Sequence, residues 1–397
     1  MECMYITEEH QLFRESLREF LQKEVVPHVD EWEAEGAIAR SIWSKLGAMG
    51  YFGLKVPEAY QGMDLDIFYT VIFLEELQKV NSGGFAAAMW AHTYLAMTHL
   101  VKNANHQQKL DYLAPSVNGE KIGCLGVTEP FGGSDVANLR TTAVLVDDHY
   151  LINGSKTFIT NGVYGDYIIL AAKTDPSAGN KGISLFIVDL NSEGVTSNKL
   201  NKLGWRASDT AELAFDDVRV PAHNLLGEEG QGFSLIMEAF ALERLVMGIN
   251  AHARAEYALD YAIKYMGERE AFGKTINRFQ ALRHRLAELH ADLDLCKHYN
   301  YGVAAKLDRG QYAVREATIS KLKSTKMADE VIDNCLQFLG GYGYIEDYPM
   351  ARLLRDSRLG PIGGGTSEIL REIIAKIIID KKEYRVPVGQ ETEKILR

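Results

Sequence analysis

Residues 141–160 read Thr141-Thr142-Ala143-Val144-Leu145-Val146-Asp147-Asp148-His149-Tyr150-Leu151-Ile152-Asn153-Gly154-Ser155-Lys156-Thr157-Phe158-Ile159-Thr160. Their β-branched and aromatic runs are too short for helices and are broken by Asp, Asn and Gly, which favour turns. The pattern predicts strands at Thr141–Val146, Tyr150–Ile152 and Thr157–Thr160, with turns at Asp147-Asp148-His149 and, more tightly, at Asn153-Gly154. Tyr167–Ala172, Ser184–Asp189 and Thr210–Phe215 continue in the same style. No helix pattern alternates with these strands from Ile122 to about Asn224. A βαβ unit is therefore excluded, and an antiparallel barrel or sandwich is expected.

Outward from this block, both flanks change period. Thr7 is placed to cap a helix running to about Lys23 and ended by Pro27, with Leu12, Phe13, Leu17 and Phe20 at helical spacing. Helical patterns follow at Ser41–Met49, Leu65–Val80, Phe85–Lys102 and His106–Leu113. Beyond the strands, long helices are expected near Gly232–Met266, Arg278–Leu307, Ala313–Leu339 and Thr366–Lys381, enough for a bundle. The expected organisation is multi-domain α+β: an N-terminal helical domain (1–121), a central β domain (122–228), a C-terminal four-helix bundle (229–385) and a polar tail (386–397).

A chain of 397 residues can bury a large core, and 46% hydrophobic with 24% charged residues is ordinary for a soluble globular protein. A net charge of −11 without basic clusters argues against nucleic acid. Cys3, Cys124, Cys296 and Cys335 form no C-x-x-C pair and suit neither a disulfide framework nor a zinc site. The acidic start lacks a signal core, and no apolar run reaches membrane-spanning length. A cytoplasmic location is expected, or a mitochondrial matrix one with the presequence removed.

Four motifs carry the chemistry. They are Val127-Thr128-Glu129-Pro130-Phe131-Gly132-Gly133-Ser134-Asp135; Phe158-Ile159-Thr160-Asn161-Gly162; Arg269-Glu270-Ala271-Phe272-Gly273 with Gln280; and Gln337-Phe338-Leu339-Gly340-Gly341-Tyr342-Gly343, continuing through Arg355-Asp356 to Gly363-Gly364-Gly365-Thr366-Ser367-Glu368. In this order and spacing they resemble the acyl-CoA dehydrogenase family from the first helix to about Lys382, with wording most similar to the isovaleryl-CoA and long-chain branches.

The resemblance implies FAD. Thr128 and backbone groups around Leu125 and Val127 would serve the flavin pyrimidine edge, Phe158 would cover a ring face and Thr160 would bond N5, with Gly133, Ser134 and Ile159 beside them. Many relatives have Trp where Phe158 stands; Phe keeps the apolar cover and loses the indole donor. Arg269, with Phe272 and Gln280, would reach the pyrophosphate of a neighbouring subunit's FAD. Gln337, Gly340 and Gly341 would lie near the ADP end, and Thr366 and Glu368 near the adenosine half. Read by themselves, Arg269 is a helix-end ion pair, Gly340-Gly341 a helix C-cap, and the first motif a strand-ending turn.

The reaction implied is α,β-dehydrogenation of a fatty or branched acyl-CoA to the trans-2-enoyl thioester. It needs a carboxylate at Cα and donors at the thioester oxygen. Many relatives carry that Glu at the position of Gly364. The resembling branches draw it from a Leu-Glu-Arg-Leu context, here Leu242-Glu243-Arg244-Leu245. Ile236, Phe240, Glu243 and Met247 form one helical stripe, in which a carboxylate is desolvated and becomes a stronger base. A buried Glu paired with Arg244 or a distant Lys is the competing reading. Glu129, inside the turn, and Glu346-Asp347, in a Tyr-rich loop, are weaker rivals.

By resemblance, the Gly364 N–H still holds the thioester oxygen, Arg244 orders the active-site wall, and Ser134 borders the substrate. Gly363, where straight-chain relatives often hold Tyr, implies room for a branched or bulky acyl group, unless Trp90 or Tyr94 fills the gap. Electron-transfer flavoprotein is the implied acceptor, and a homo-oligomer, as a dimer of dimers, the implied assembly. A dehydrogenase of carrier-protein-tethered acyl groups and a flavin oxidase or monooxygenase are the alternatives on the same fold.

Overall fold

The structure is a computed structural model and describes residues 4–382; Cys3 and the whole polar tail (386–397) lie outside the described residues. The first helix, α1 (Glu8–Glu24), starts where Thr7 caps the His10 amide, and the His10 ring returns a bond to the Thr7 backbone. It is followed by α2 (Val29–Glu35) and α3 (Arg40–Ala48). Then comes α4 (Ile67–Gln78), which is buried at every position except Tyr69. A helix buried on all sides belongs at the centre of a helical layer. The expected Phe85–Lys102 helix is α5 (Gly83–Trp90) and α6 (Met97–Asn103), joined by a π turn at Ala91–Ala96. Likewise a π turn at Lys109–Leu113 joins α7 (His106–Gln108) to α8 (Ala114–Val117).

The β region corrects two expectations. Its strands are β1 (Gly123–Gly126), β2 (Thr142–Val146), β3 (His149–Thr160), β4 (Tyr167–Lys173), β5 (Ile183–Asp189), β6 (Val195–Lys199), β7 (Thr210–Pro221) and β8 (Leu225–Leu226). They make one open sheet with main path β6-β7-β3-β2-β4-β5-β8, not a closed barrel, and β1 joins β4 in parallel. The parallel pairing arises because the chain leaves β1 and completes the β2–β3 hairpin before β4 returns alongside. Asn153-Gly154 is no turn: β3 runs straight through it, with a bulge between Ile152 and Gly154. A Cβ on Gly154 would come within 2.7 Å of Thr141 Cα, so the glycine admits a neighbouring backbone rather than reversing the chain. The Asp147-Asp148 turn does form, with Asp147 at φ 53°.

The C-terminal bundle contains α9 (Gly232–Glu268), α10 (Gln280–Asp308), α11 (Val314–Leu339), α12 (Pro349–Ser357) and α13 (Ser367–Ile378). A small hairpin, β9 (Glu270–Ala271) with β10 (Lys274–Thr275), separates α9 from α10. α9 is the spine. It packs on α4 of the first helical layer and on α10 and α11 of the bundle, and residues 243–255 are all buried. The stripe expected to carry the base thus lies where the layers meet.

Candidate active site

Glu243 sits on α9 between Phe240 and Met247 and is 9% exposed. No hydrogen bond holds its carboxyl oxygens among the described residues. Burial pushes the carboxyl up to about 7, while the cations Arg244 and Lys321 pull it back down. Arg244 stacks its guanidinium on the Phe240 ring at 5.7 Å and donates to Thr318 Oγ1 at 3.2 Å. Its neighbour in sequence is therefore engaged with α11 and leaves Glu243 facing the glycine run.

That run ends the α12–α13 connection. Gly364 and Gly365 have φ of 62° and 92°, a region L side chains rarely enter, and Thr366 caps α13 by accepting from the Ile369 amide at 3.4 Å. A Cβ on Gly364 would lie 3.4 Å from Glu243 Oε1 and would overlap Met247 Sδ. The carboxylate from α9 therefore points at the position many relatives use for theirs, and Met247 fills the space that side chain would need. Beside Gly363 the nearest atoms are the Met247 methyl at 3.6 Å and Leu359 at 3.8 Å, not Trp90 or Tyr94. The Gly364 N–H has no intrachain acceptor among the described residues.

Sequence reasoning missed Lys321. Its ammonium is fully buried and donates to the Gly365 carbonyl at 2.7 Å. Burial pushes it down to about 8, and Glu243 opposes that shift. Ala317, Thr318, Ser324, Thr325 and Ala328 are buried around it on α11, so a lysine among small uncharged residues on one helical face was the signal available. The ammonium ties the glycine run to the helix facing the carboxylate.

A second group gathers on the sheet. The Thr157 amide donates to the Thr128 carbonyl at 2.9 Å, which joins the first two motifs. Beneath them Glu129 is buried against Lys156 at 2.7 Å and accepts from Thr141 Oγ1 at 2.6 Å. Glu129 is thereby committed to holding the turn. Phe158 lies in a second bulge of β3, at φ 62° and 69% exposed. Positive φ is uncommon for a bulky residue, and an exposed ring held that way presents a flat apolar face. The half-buried Thr128 and Thr160 hydroxyls make no intrachain hydrogen bond among the described residues. A Cβ on Gly133 would meet only Thr128 Cγ2, at 3.6 Å. A bare ring, uncommitted hydroxyls and an open glycine suit a flat heteroaromatic group such as a flavin.

The third group begins at the far end of α9. Arg269 is the C-cap of α9, 26 residues after Glu243 and about 39 Å from it along the helix axis. It borders a cleft of about 370 Å³ with Tyr261, Lys264, Tyr342 and Tyr348, its guanidinium 5.8 Å from the Tyr342 ring centre. Phe272 stands on the β9–β10 hairpin at φ 53° and 95% exposed, and Gln280 opens α10. Gln337 is exposed at the end of α11, and Gly340 adopts φ 59°, ψ −133°, which only glycine tolerates readily. Thr366 belongs to the glycine run, and the exposed Glu368 pairs with Arg371 at 2.9 Å. The rigid length of α9 thus holds Arg269 apart from Glu243.

Three domain models of one family match in register: the acyl-CoA dehydrogenase N-terminal domain at residues 7–120, the middle domain at 124–218 and the C-terminal domain at 230–379. The chain belongs to the acyl-CoA dehydrogenase family. It is 39% identical to the mitochondrial isovaleryl-CoA dehydrogenase of Oryza sativa subsp. japonica, over 92% of this chain and 90% of that one. It is 36% identical to the mitochondrial long-chain specific acyl-CoA dehydrogenase of Sus scrofa, over 94% and 87%. The acyl-CoA dehydrogenase structure from Geobacillus kaustophilus superposes with a TM-score of 0.91 at 41% identity, covering 94% of this chain and 99% of that one. A Mycobacterium smegmatis glutaryl-CoA dehydrogenase in complex with FADH2 superposes at 0.90 with 26% identity, covering 96% and 97%. The chain is thus an FAD-dependent oxidoreductase acting on CH–CH donors. Among the described residues no helix is long and apolar enough to cross a membrane.

Proposed function

We propose that this acyl-CoA dehydrogenase removes the α-proton of its thioester substrate with Glu243 and accepts branched or longer acyl groups. The observation that carries this reading is the 3.4 Å approach of Glu243 Oε1 to the side-chain position that Gly364 leaves empty. Bound FAD supplies the two-electron acceptor for the β-hydrogen. The chain itself supplies the base, the thioester clamp and the dry surroundings. Glu243 is poised near neutral pH, so it is substantially ionised when substrate arrives and gains basicity from burial. The unused Gly364 N–H is the thioester-oxygen donor, and Lys321 fixes it by gripping the next carbonyl. Phe158, Thr128 and Thr160 hold the flavin edge and face.

Because a base must be ionised to act, kcat/KM should rise with pH through about 7. Lys321 lowers the Glu243 pKa, so Lys321→Met should move that limb to higher pH and depress the rate most on its acid side. A pH profile of flavin reduction tests this; a pH-independent loss would leave Lys321 with a purely structural part.

Arg269, Phe272, Gln280, Gln337, Gly340 and Gly341 are proposed to serve the FAD of a second copy, within a homo-oligomer built as a dimer of dimers. The distance along α9 and the bare Phe272 ring support it. Arg269→Ala should weaken FAD retention about 10- to 100-fold, the loss of a charge-assisted contact to pyrophosphate. Flavin release under dilution is the measurement. Undiminished retention would reduce Arg269 to an ordinary surface residue. Electron-transfer flavoprotein is the proposed acceptor. Anaerobic bleaching by isovaleryl-, octanoyl- and palmitoyl-CoA tests the activity, and an unchanged visible spectrum with all three would refute the reading.

A further inference from the structure

Met247 also lines a small, partly open chamber of about 30 Å³ bordered by Trp90, Trp205, Asn250, Arg254 and Thr325. Most of its wall is apolar, as an acyl tail requires, but one end is not. Arg254 is buried, 6% exposed, and its Nε and Nη2 both donate to Gln78 Oε1, at 3.0 and 2.9 Å. Its Nη1 has no acceptor among the described residues. Gln78 is itself held, since its amide donates to Asn250 Oδ1, and Asn250 Nδ2 donates to the Val246 carbonyl at 2.8 Å. The fork is thus locked in orientation, with the two N–H groups of Nη1 left to serve whatever enters. A well-placed oxygen in the chamber would gain a charge-assisted hydrogen bond from them.

Glu243, Met247, Asn250 and Arg254 occupy positions i, i+4, i+7 and i+11 of α9, one stripe of one helix. Eleven residues span about 16 Å, and the long Arg254 side chain leans back over part of that distance, leaving roughly 10 Å between base and guanidinium. A medium-length acyl chain covers that span. Met247 belongs to both compartments: it fills the space beside Gly364 and lines the chamber, and its unbranched side chain can swing aside.

We propose that the acyl subsite continues past Met247 and ends at Arg254, selecting acyl-CoAs whose distal carbon bears a neutral oxygen such as a hydroxyl. This rests on the dehydrogenase reading above. Neutrality follows from the charges around the guanidinium. Asp356 and Asp329 both act on it from nearby, and Asp356 is fixed by the Gly83 and Trp205 amides at 2.8 and 2.6 Å. A third carboxylate in this narrow space would be repelled by those two, whereas a hydroxyl needs only one of the Nη1 N–H groups.

Flavin-loaded protein would be titrated anaerobically with octanoyl-CoA, 8-hydroxyoctanoyl-CoA and the mono-CoA thioester of octanedioic acid. The expected result is a kcat/KM for flavin reduction about tenfold higher with the hydroxylated chain than with octanoyl-CoA, the yield of one hydrogen bond to a charged donor. The diacid thioester should be the poorest of the three. Arg254→Gln should bring the hydroxyl-to-plain ratio close to one, and Arg254→Lys should keep part of it. Because the readout is a ratio, a general loss of activity in either variant does not imitate the effect. A ratio below about threefold in the unaltered protein overturns the proposal, as does a preference for the diacid thioester, and either result leaves the dehydrogenase reading standing. Failure of all three thioesters to bleach the flavin would instead remove the reading on which the subsite rests.

Discussion

Glu243→Gln is expected to lower the rate of flavin reduction by acyl-CoA by at least 10³-fold, near the upper range for a single general base, while FAD stays bound. The amide keeps the volume and polarity of the side chain and removes only its ability to take a proton. No residue in the neighbourhood offers a substitute. Glu129 is locked to Lys156 and Thr141, and Glu368 is engaged with Arg371 on the exposed face of α13. The same variant should be more stable than the parent above neutral pH. The Glu243 carboxyl is raised from 4.5 to about 7 in the folded chain, so folding favours its protonated form. Ionising it therefore costs stability progressively as pH rises from about 4.5 through 7, and the cost is complete above that. Its size is on the order of 3 kcal/mol for such a shift, before any local relaxation. Thermal unfolding at pH 8 and pH 5 separates the two regimes: a gain at pH 8 that disappears at pH 5 supports the assignment. Normal turnover in Glu243→Gln would remove Glu243 as the base.

Much of this was legible before any coordinates, and the exceptions have physical causes. Thr7 as a cap is a local signal, set by a hydrogen bond three residues away. The stripe that buries Glu243 is local as well, because one helix period decides it. Asn153-Gly154 misled because its glycine answers to Thr141, a strand neighbour across the sheet, and not to the residues beside it in sequence. The parallel seat of β1 on β4 depends on strands pairing across forty residues, which alternation alone does not specify. The π turn at Ala91–Ala96 lies in a run that reads as an unbroken helix. Lys321 was missed, and Met247 was read only as part of the stripe, for a related reason. Each matters through what another segment brings to it, Lys321 through the Gly365 carbonyl and Met247 through the vacancy at Gly364.

That vacancy sets up the second large effect. Restoring a carboxylate at position 364 in a Glu243→Ala background, by Gly364→Glu, should yield less than 1% of parental activity, although it puts the residue where many relatives carry their base. Two obstacles act together. At φ 62° a residue with a Cβ costs about 1–2 kcal/mol, and here that Cβ overlaps the Met247 thioether. Only the second can be relieved by a further substitution. Adding Met247→Ala clears the sulfur and should return activity at least tenfold above the Glu243→Ala, Gly364→Glu protein, with the remaining deficit due to the backbone. The measurement is the rate of flavin reduction by one acyl-CoA across the single, double and triple variants. Equal activity with and without Met247 would show that the methionine does not exclude a base from the glycine run. The expected ordering would instead show that Met247 and the backbone at Gly364 together keep a base out of the glycine run, which leaves that part to the carboxylate on α9.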